Sequence, residues 1–152
     1  MITTRIATIA DLGTLYSFEQ GIVEAERPFD CTLRNDVIHY YDLKELINSP
    51  NAMVIVAEEQ GEILGSGYAE IRDAKEYLDH THYVHLGFMF TKPAARGKGI
   101  NKAILDELIN WARTKKIKEI RLEVYAGNTG AKQAYEKSGF KDHMLEMRRR
   151  LE

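Results

Sequence analysis

A turn of small and basic residues, Ala94-Ala95-Arg96-Gly97-Lys98-Gly99, joins two long segments of different hydrophobic period. Before it, Tyr83 to Phe90 reads as a strand, interrupted at Lys92-Pro93. Behind it, Ile100, Ala103, Ile104, Leu108, Trp111 and Ala112 fall on one face of a helix. A strand that passes through glycines into an amphipathic helix has to fold that helix back onto a sheet. The first helical N–H groups then have no partner and point at the turn. Glycines allow close backbone approach, and Arg96, Lys98 and Lys102 add positive charge, so the turn is a recipe for holding an anion. Gly-Lys-Gly alone is equally a plain basic surface turn. Gly97-Lys98 lacks the preceding glycine and the following Ser or Thr of a P-loop, and two glycines do not make the dinucleotide fingerprint.

The rest of the chain supplies one domain, residues 1–152, with no repeat or linker and 44% hydrophobic residues to build a core. Arg5 to Thr8 reads as a first strand, and Asp11 as the N-cap of a helix carrying Leu12, Leu15, Tyr16 and Ile22, ended by Pro28. A second helix is predicted to hold Val37, Tyr40, Tyr41, Leu43, Leu46 and Ile47. Residues 52–59 and 63–72 form a hairpin about Glu59-Gln60-Gly61-Glu62. After the glycine turn and its helix come a strand at 120–125, a helix from Asn128 to Lys137 closed by Ser138-Gly139, and a last strand or two between Phe140 and Leu151. This order defines an α/β (α+β) sandwich around one mixed central sheet.

The chain has 21 basic and 23 acidic residues, which excludes a strongly basic nucleic-acid binder. The charges are divided unevenly: 6 basic and 15 acidic residues precede Lys92, against 15 and 8 from Lys92 onward. Two ligands of opposite charge, or simple scatter, account equally for that split. Cys31 is the only cysteine, so no internal disulfide forms. The longest apolar run, Ala52 to Ala57, is too short for a bilayer, and Met1 to Arg5 lacks an apolar signal region, so a cytoplasmic protein is expected. His80-x-His82 has no third ligand to make a metal site. Arg148-Arg149-Arg150 reads as a solvated charge run.

The turn resembles motif A of the GNAT N-acetyltransferase superfamily, in which [Arg/Gln]-x-x-Gly-x-[Gly/Ala] opens a helix. Arg96 and Gly99 match, Asn101 stands where Gly or Ala is usual, and Thr91 replaces the common Val before Pro93. A second block, Asn128, Ala131, Tyr135, Gly139 and Phe140, is similar to the family's Asn-x-x-Ala-x-x-x-Tyr-x-x-x-Gly-Phe. Arg5-x-Ala7-Thr8 with Asp11-Leu12 also resembles its beginning. The resemblance implies a mostly antiparallel sheet flanked by about four helices.

It also implies a reaction, direct transfer of an acetyl group from acetyl-CoA to a primary amine with no metal. The acyl donor's pyrophosphate is expected on the N–H groups of Arg96, Gly97, Lys98, Gly99, Ile100 and Asn101, with Thr91 and Asn128 nearby. A backbone N–H around Met89 or Phe90 is expected to polarise the acyl carbonyl. Tyr135 sits at the family position for the acid that protonates the departing thiolate. For the base, His85, Glu70 and Glu123 are candidates, His85 having the right intrinsic pKa. Residues 19–45 are acidic, with Glu19, Glu24, Glu26, Asp30, Asp36, Asp42 and Glu45 against Arg27, Arg34 and Lys44, which favours a cationic acceptor. Asp30, Asp36, Tyr40 and Glu70 are the expected acceptor contacts. A non-catalytic acyl-CoA sensor is the alternative reading, and a homodimer stays open.

Overall fold

The computed structural model describes residues Met1–Glu152. Its sheet runs in the order β1 (Thr3–Ile6), β2 (Ala52–Glu59), β3 (Glu62–Asp73), β4 (His82–Thr91) and β5 (Ile120–Arg121). The first four strands are antiparallel neighbours and β5 runs parallel to β4, so the sheet is mixed and mostly antiparallel. The β2–β3 hairpin closes through Gln60 and Gly61, both at positive φ (53° and 79°). That two-residue geometry matches the natural twist of paired strands. The helices are α1 (Leu12–Glu26), α2 (Leu43–Asn48), α3 (Ile100–Thr114) and α4 (Thr129–Lys137).

Side chains alternate across the sheet and so create two cores. On one face Ile55, Ala57, Ala69, Val84 and Leu86 pack with Ile100, Ile104, Leu105 and Leu108 of α3. On the other, Val54, Val56, Tyr68 and Phe88 pack with Leu15, Phe18 and Ile22 of α1 and Leu43 and Leu46 of α2. Gly65 and Gly67 let α3 sit close on β3, since a Cβ at Gly65 would lie 2.6 Å from Ile100 and one at Gly67 2.8 Å from Ile104.

Four sequence expectations are corrected. Asp11 does not cap α1 through its side chain. It ends a 3-10 turn (Ile9–Asp11), where its carboxylate accepts the Thr8 N–H at 2.7 Å and pairs with Arg5 at 2.8 Å. The second helix begins at Leu43, not near Val37, because Glu19 takes the Tyr40 and Tyr41 N–H groups that a longer helix would use internally. β5 pairs only through Ile120 and Arg121, ending before the irregularity in β4 described below. Phe140 to Glu152 forms no strand, because so short a β5 offers the tail no edge to pair along. Arg148 ties the tail down by donating to Asp30 and Thr32, both at 3.0 Å.

Candidate active site

The glycine turn has the shape its sequence implies. Pro93–Ala95 forms a 3-10 turn, and Gly97 and Gly99 take φ of 82° and 80°, with Gly99 the N-cap of α3. Nothing lies within 4 Å of a Cβ built at either glycine, so the backbone angle, and not space, demands glycine. No side chain caps α3. The first bond of the helical ladder runs from the Ala103 N–H to the Gly99 carbonyl at 3.0 Å, which leaves the N–H groups of Ile100, Asn101 and Lys102 for an outside acceptor. Buried Ile100 anchors the helix start. Arg96 is exposed and makes no ion pair, whereas Lys98 lies 4.0 Å from Glu59 and Lys102 pairs with Asp106 at 2.7 Å. The turn thus presents unpaired donors, helix-end dipole and a free guanidinium to one anion.

Upstream of the turn, β4 carries a β-bulge. Ser66 opposes Phe90 and Tyr68 opposes Gly87, so Phe88 and Met89 together face Gly67. Phe88 adopts φ 58°, a left-handed backbone unusual for a bulky residue. The bulge reverses the alternation. Val84 and Leu86 belong to the α3 face, yet Phe88 packs on the α1 face and Met89 returns to the α3 face. The buried Ser66 hydroxyl holds the Phe88 carbonyl at 3.0 Å. A bulge interrupts ladder hydrogen bonding and re-aims backbone groups, and this one lies where the sequence placed the carbonyl-polarising N–H of Met89 or Phe90.

His85 and Glu70, partners in the β3–β4 register, share the α1 face of the sheet with Tyr68 but lie outside the apolar cluster packed under α1 and α2. Arg72 joins them, its Nε donating to Glu70 at 2.9 Å. Tyr68 crosses Gly87, with its hydroxyl 2.7 Å from where a Cβ would be, and its ring centroid is 6.0 Å from that of His85. Half-buried His85 is pushed down to about 4, mainly by desolvation and then by the Arg72 charge, with Glu70 opposing. At neutral pH its imidazole is therefore uncharged. Burial pushes the Tyr68 hydroxyl up, Glu70 and Glu123 act in the same sense, and Arg72 acts against them.

Asn128 serves as the N-cap of α4, its side-chain oxygen accepting the Ala131 N–H at 3.3 Å. That helix carries Tyr135, half-buried against the α3-face core and edge-on to Phe140 at 5.9 Å. Burial raises the Tyr135 hydroxyl, so it is protonated at neutral pH. The acidic residues expected at the acceptor are divided. Asp36 is exposed beside Arg34 at 3.3 Å. Asp30 is occupied within the chain, accepting from Thr32, Tyr125 and Arg148, which hold it well below the usual carboxylate range. Tyr40 has a buried hydroxyl without a hydrogen-bond partner, and burial raises the nearby Glu26. No group of three or more His, Cys, Asp or Glu is placed to hold a metal ion.

Sequence reading missed Arg72 and counted Glu19 only toward the acidic balance of residues 19–45. Glu19 lies among Leu15, Phe18, Ile22 and Val23 on the buried stripe of α1, a carboxylate on an apolar face that pattern alone could have flagged. Arg72 shares strand parity with Tyr68 and Glu70, which was equally legible.

The Acetyltransferase (GNAT) family model matches residues 18–140, and the chain belongs to that family, an acetyltransferase family that uses acetyl-CoA. It is 32% identical over 80 residues to the L-methionine sulfoximine/L-methionine sulfone acetyltransferase of Salmonella typhimurium, a match spanning 49% of this chain and 40% of that protein. Its fold is similar to a predicted acetyltransferase with acetyl-CoA from Clostridium acetobutylicum (TM-score 0.73, 23% identity, 97% and 96% of the two chains). It is also similar to glucosamine-6-phosphate N-acetyltransferase from Arabidopsis thaliana (TM-score 0.71, 19% identity, 100% and 99%). No helix is long and apolar enough to cross a membrane.

Proposed function

We propose that this chain transfers the acetyl group of acetyl-CoA to the primary amine of a small acceptor. The observation that carries the reading is the bulge at Phe88–Met89, which lies between an anion-holding turn on one side and a polar, uncovered sheet face on the other. Arg96 and the N–H groups of Gly97 through Asn101 bind the pyrophosphate, and Thr91 borders it at the end of β4. The acyl donor supplies a thioester carbonyl. The Met89 or Phe90 N–H donates to that carbonyl oxygen, and the bond strengthens as negative charge develops there.

The amine nitrogen forms the new C–N bond as the C–S bond breaks. Tyr135 gives its proton to the leaving sulfur and is reprotonated from solvent. An unperturbed thiol titrates near 8.5 and tyrosine near 10, so a raised Tyr135 keeps its proton until C–S cleavage generates the thiolate. The amine's surplus proton departs by way of His85 or water. A His85 pushed down to about 4 is too weak a base to take a proton from a lysine-like ammonium near 10.4. The site therefore favours an amine less basic than a lysine side chain.

Free-CoA release measured with acetyl-CoA and a panel of primary amines tests the reaction. The expected result is amine-dependent release, with kcat reduced about 100-fold in Tyr135→Phe and KM little changed. Undiminished activity in Tyr135→Phe removes the acid role. Absence of amine-dependent release with every acceptor removes the reaction itself.

A further inference from the structure

Arg72 is not accounted for by the transfer reaction. It projects from β3 onto the α1 face, its side chain is 39% exposed, and of its five donors only Nε is bonded to a carboxylate, that of Glu70. Its guanidinium lies beside the Tyr68 hydroxyl and close enough to His85 to depress that imidazole. The Tyr68 hydroxyl in turn stands over Gly87, one residue before the bulge. Arg121, opposite His85 in the β4–β5 register, lies over the Tyr83 ring at 4.0 Å but is already engaged by Glu119 at 3.3 Å and His80 at 3.0 Å, which leaves Arg72 as the cation of this face open to a ligand. The negative groups are Glu70, one third exposed at 33%, Glu119, paired with Arg121, and Glu123, close enough to act on Tyr68. So the uncovered face beside the bulge holds fixed charge of both signs, within reach of one small molecule.

We propose that the acceptor is a zwitterion, an amine with a carboxylate or similar anionic group beside it, and that Arg72 binds the anion. This rests on the acetyl-transfer reading and narrows its substrate class. Beyond its Nε bond to Glu70, Arg72 keeps Nη donors of the forked kind suited to a carboxylate, and the buried Tyr68 hydroxyl beside it holds the guanidinium in place. Glu70 and Glu123 attract the ammonium end, and His85, uncharged, does not repel it. The arrangement differs from the purely cationic acceptor that the acidic composition of residues 19–45 suggests, because Asp30 in that segment is consumed by Arg148, Thr32 and Tyr125.

The test compares free L-amino acids with the primary amides of the same amino acids, reading free-CoA release. Amidation lowers the amine's own pKa and should speed attack, so a preference for the acid has to come from recognition. The expected result is a kcat/KM at least about tenfold higher for the acids, with Arg72→Gln raising their KM about tenfold and collapsing the preference. Binding of acetyl-CoA by calorimetry, at the opposite end of the cleft, reports whether the variant is folded, and the wild-type comparison decides the matter even if it is not. Amides used as well as acids, or a preference that survives in folded Arg72→Gln, overturns the proposal and leaves acetyl transfer standing. Release with no amine of either set overturns acetyl transfer and the zwitterion with it.

Discussion

Glu19 is the side chain on which the acceptor side of the site hangs. It is 0% exposed and accepts three bonds, from the Tyr40 N–H at 2.9 Å, the Tyr41 N–H at 3.0 Å and His39 Nδ1 at 2.9 Å. Next to it Gln20 donates to the Ile38 carbonyl at 2.8 Å, so α1 grips residues 38–41 at four points. Tyr41 then carries the grip onward, edge-on to Tyr68 at 5.5 Å and to Phe88 of the bulge at 5.3 Å. In Glu19→Ala two backbone N–H groups lose their acceptor and a small cavity opens. Bonds to a charged group are worth about 1.5–3 kcal/mol each, and water can enter from the loop side to recover part of that. The expected loss is about 3 kcal/mol, which at this chain length corresponds to a fall in Tm of about 6–12 °C. Glu19→Gln retains one oxygen of the same shape and should lose only about 1 kcal/mol. Urea unfolding followed by circular dichroism measures both. In the folded Gln variant the acceptor KM should rise while acetyl-CoA affinity holds, because the glycine turn is not part of the clamp. An Ala variant within about 0.5 kcal/mol of wild type refutes the clamp, and so does a Gln variant as unstable as Ala.

Three other outcomes follow. Gly99→Ala places a side chain at φ 80° with no steric neighbour, so the cost is pure backbone strain of about 1–2 kcal/mol. It should also raise the KM for acetyl-CoA and leave the acceptor KM alone; an unchanged acetyl-CoA KM removes the turn from the donor site. His85 is pushed from an ordinary 6.5 down to about 4, so below pH 6.5 the unfolded chain binds a proton that the folded one refuses. Stability should fall as pH drops from 6.5 to 4 and then level off in this respect, and urea midpoints for His85→Gln should show a shallower decline across that window. Asp30→Ala frees Arg148 and Thr32 together, so limited proteolysis should cleave the segment after Phe140 faster than in wild type, with equal rates showing that the tail is held elsewhere.

The sheet and α3 were legible because their signals are local. Alternation marks β2 and β3, Gln60-Gly61 marks their turn, and six apolar residues at helical spacing mark α3. The glycine turn was legible for the same reason, down to the two residues that need positive φ. What escaped was decided by partners distant in sequence. Glu19 shortens α2 from twenty residues away by taking its would-be first donors. Whether 120–125 pairs fully depends on what β4 does at Phe88, and nothing in Leu86-Gly87-Phe88-Met89 announces a left-handed phenylalanine. The apolar alternation of Leu145, Met147 and Leu151 is real, but with only a two-residue β5 beside it the tail stays outside the sheet. Asp30 looked like a surface carboxylate for a cation because Arg148 and Tyr125, its partners, lie far along the chain.

In the proposed reaction the bulge is what connects a donor side on the α3 face with an acceptor side on the α1 face of one sheet. A regular strand already alternates its side chains between the two faces but commits its backbone N–H and C=O groups to the ladder, leaving none for a ligand. By taking φ 58°, Phe88 stays with Gly87 on the α1 face before Met89 resumes the alternation on the α3 face, and the extra residue breaks the β3–β4 ladder between the two faces. The short pairing of β5 is the counterpart, since a full ladder beyond His85 would seal the gap between β4 and β5. The uneven charges follow the same division. Lys92 onward supplies the basic turn on the α3 side, while the acidic first part contributes Glu70 on the α1 side, together with Arg72, the one cation of that part that stands next to the site. Deleting Phe88 should leave Met89 on the α3 face opposite Gly67 and restore a regular ladder, returning to β3 the backbone N–H groups that the bulge re-aims. Amine-dependent CoA release should then be abolished, whereas undiminished release in the folded variant refutes a role for the bulge.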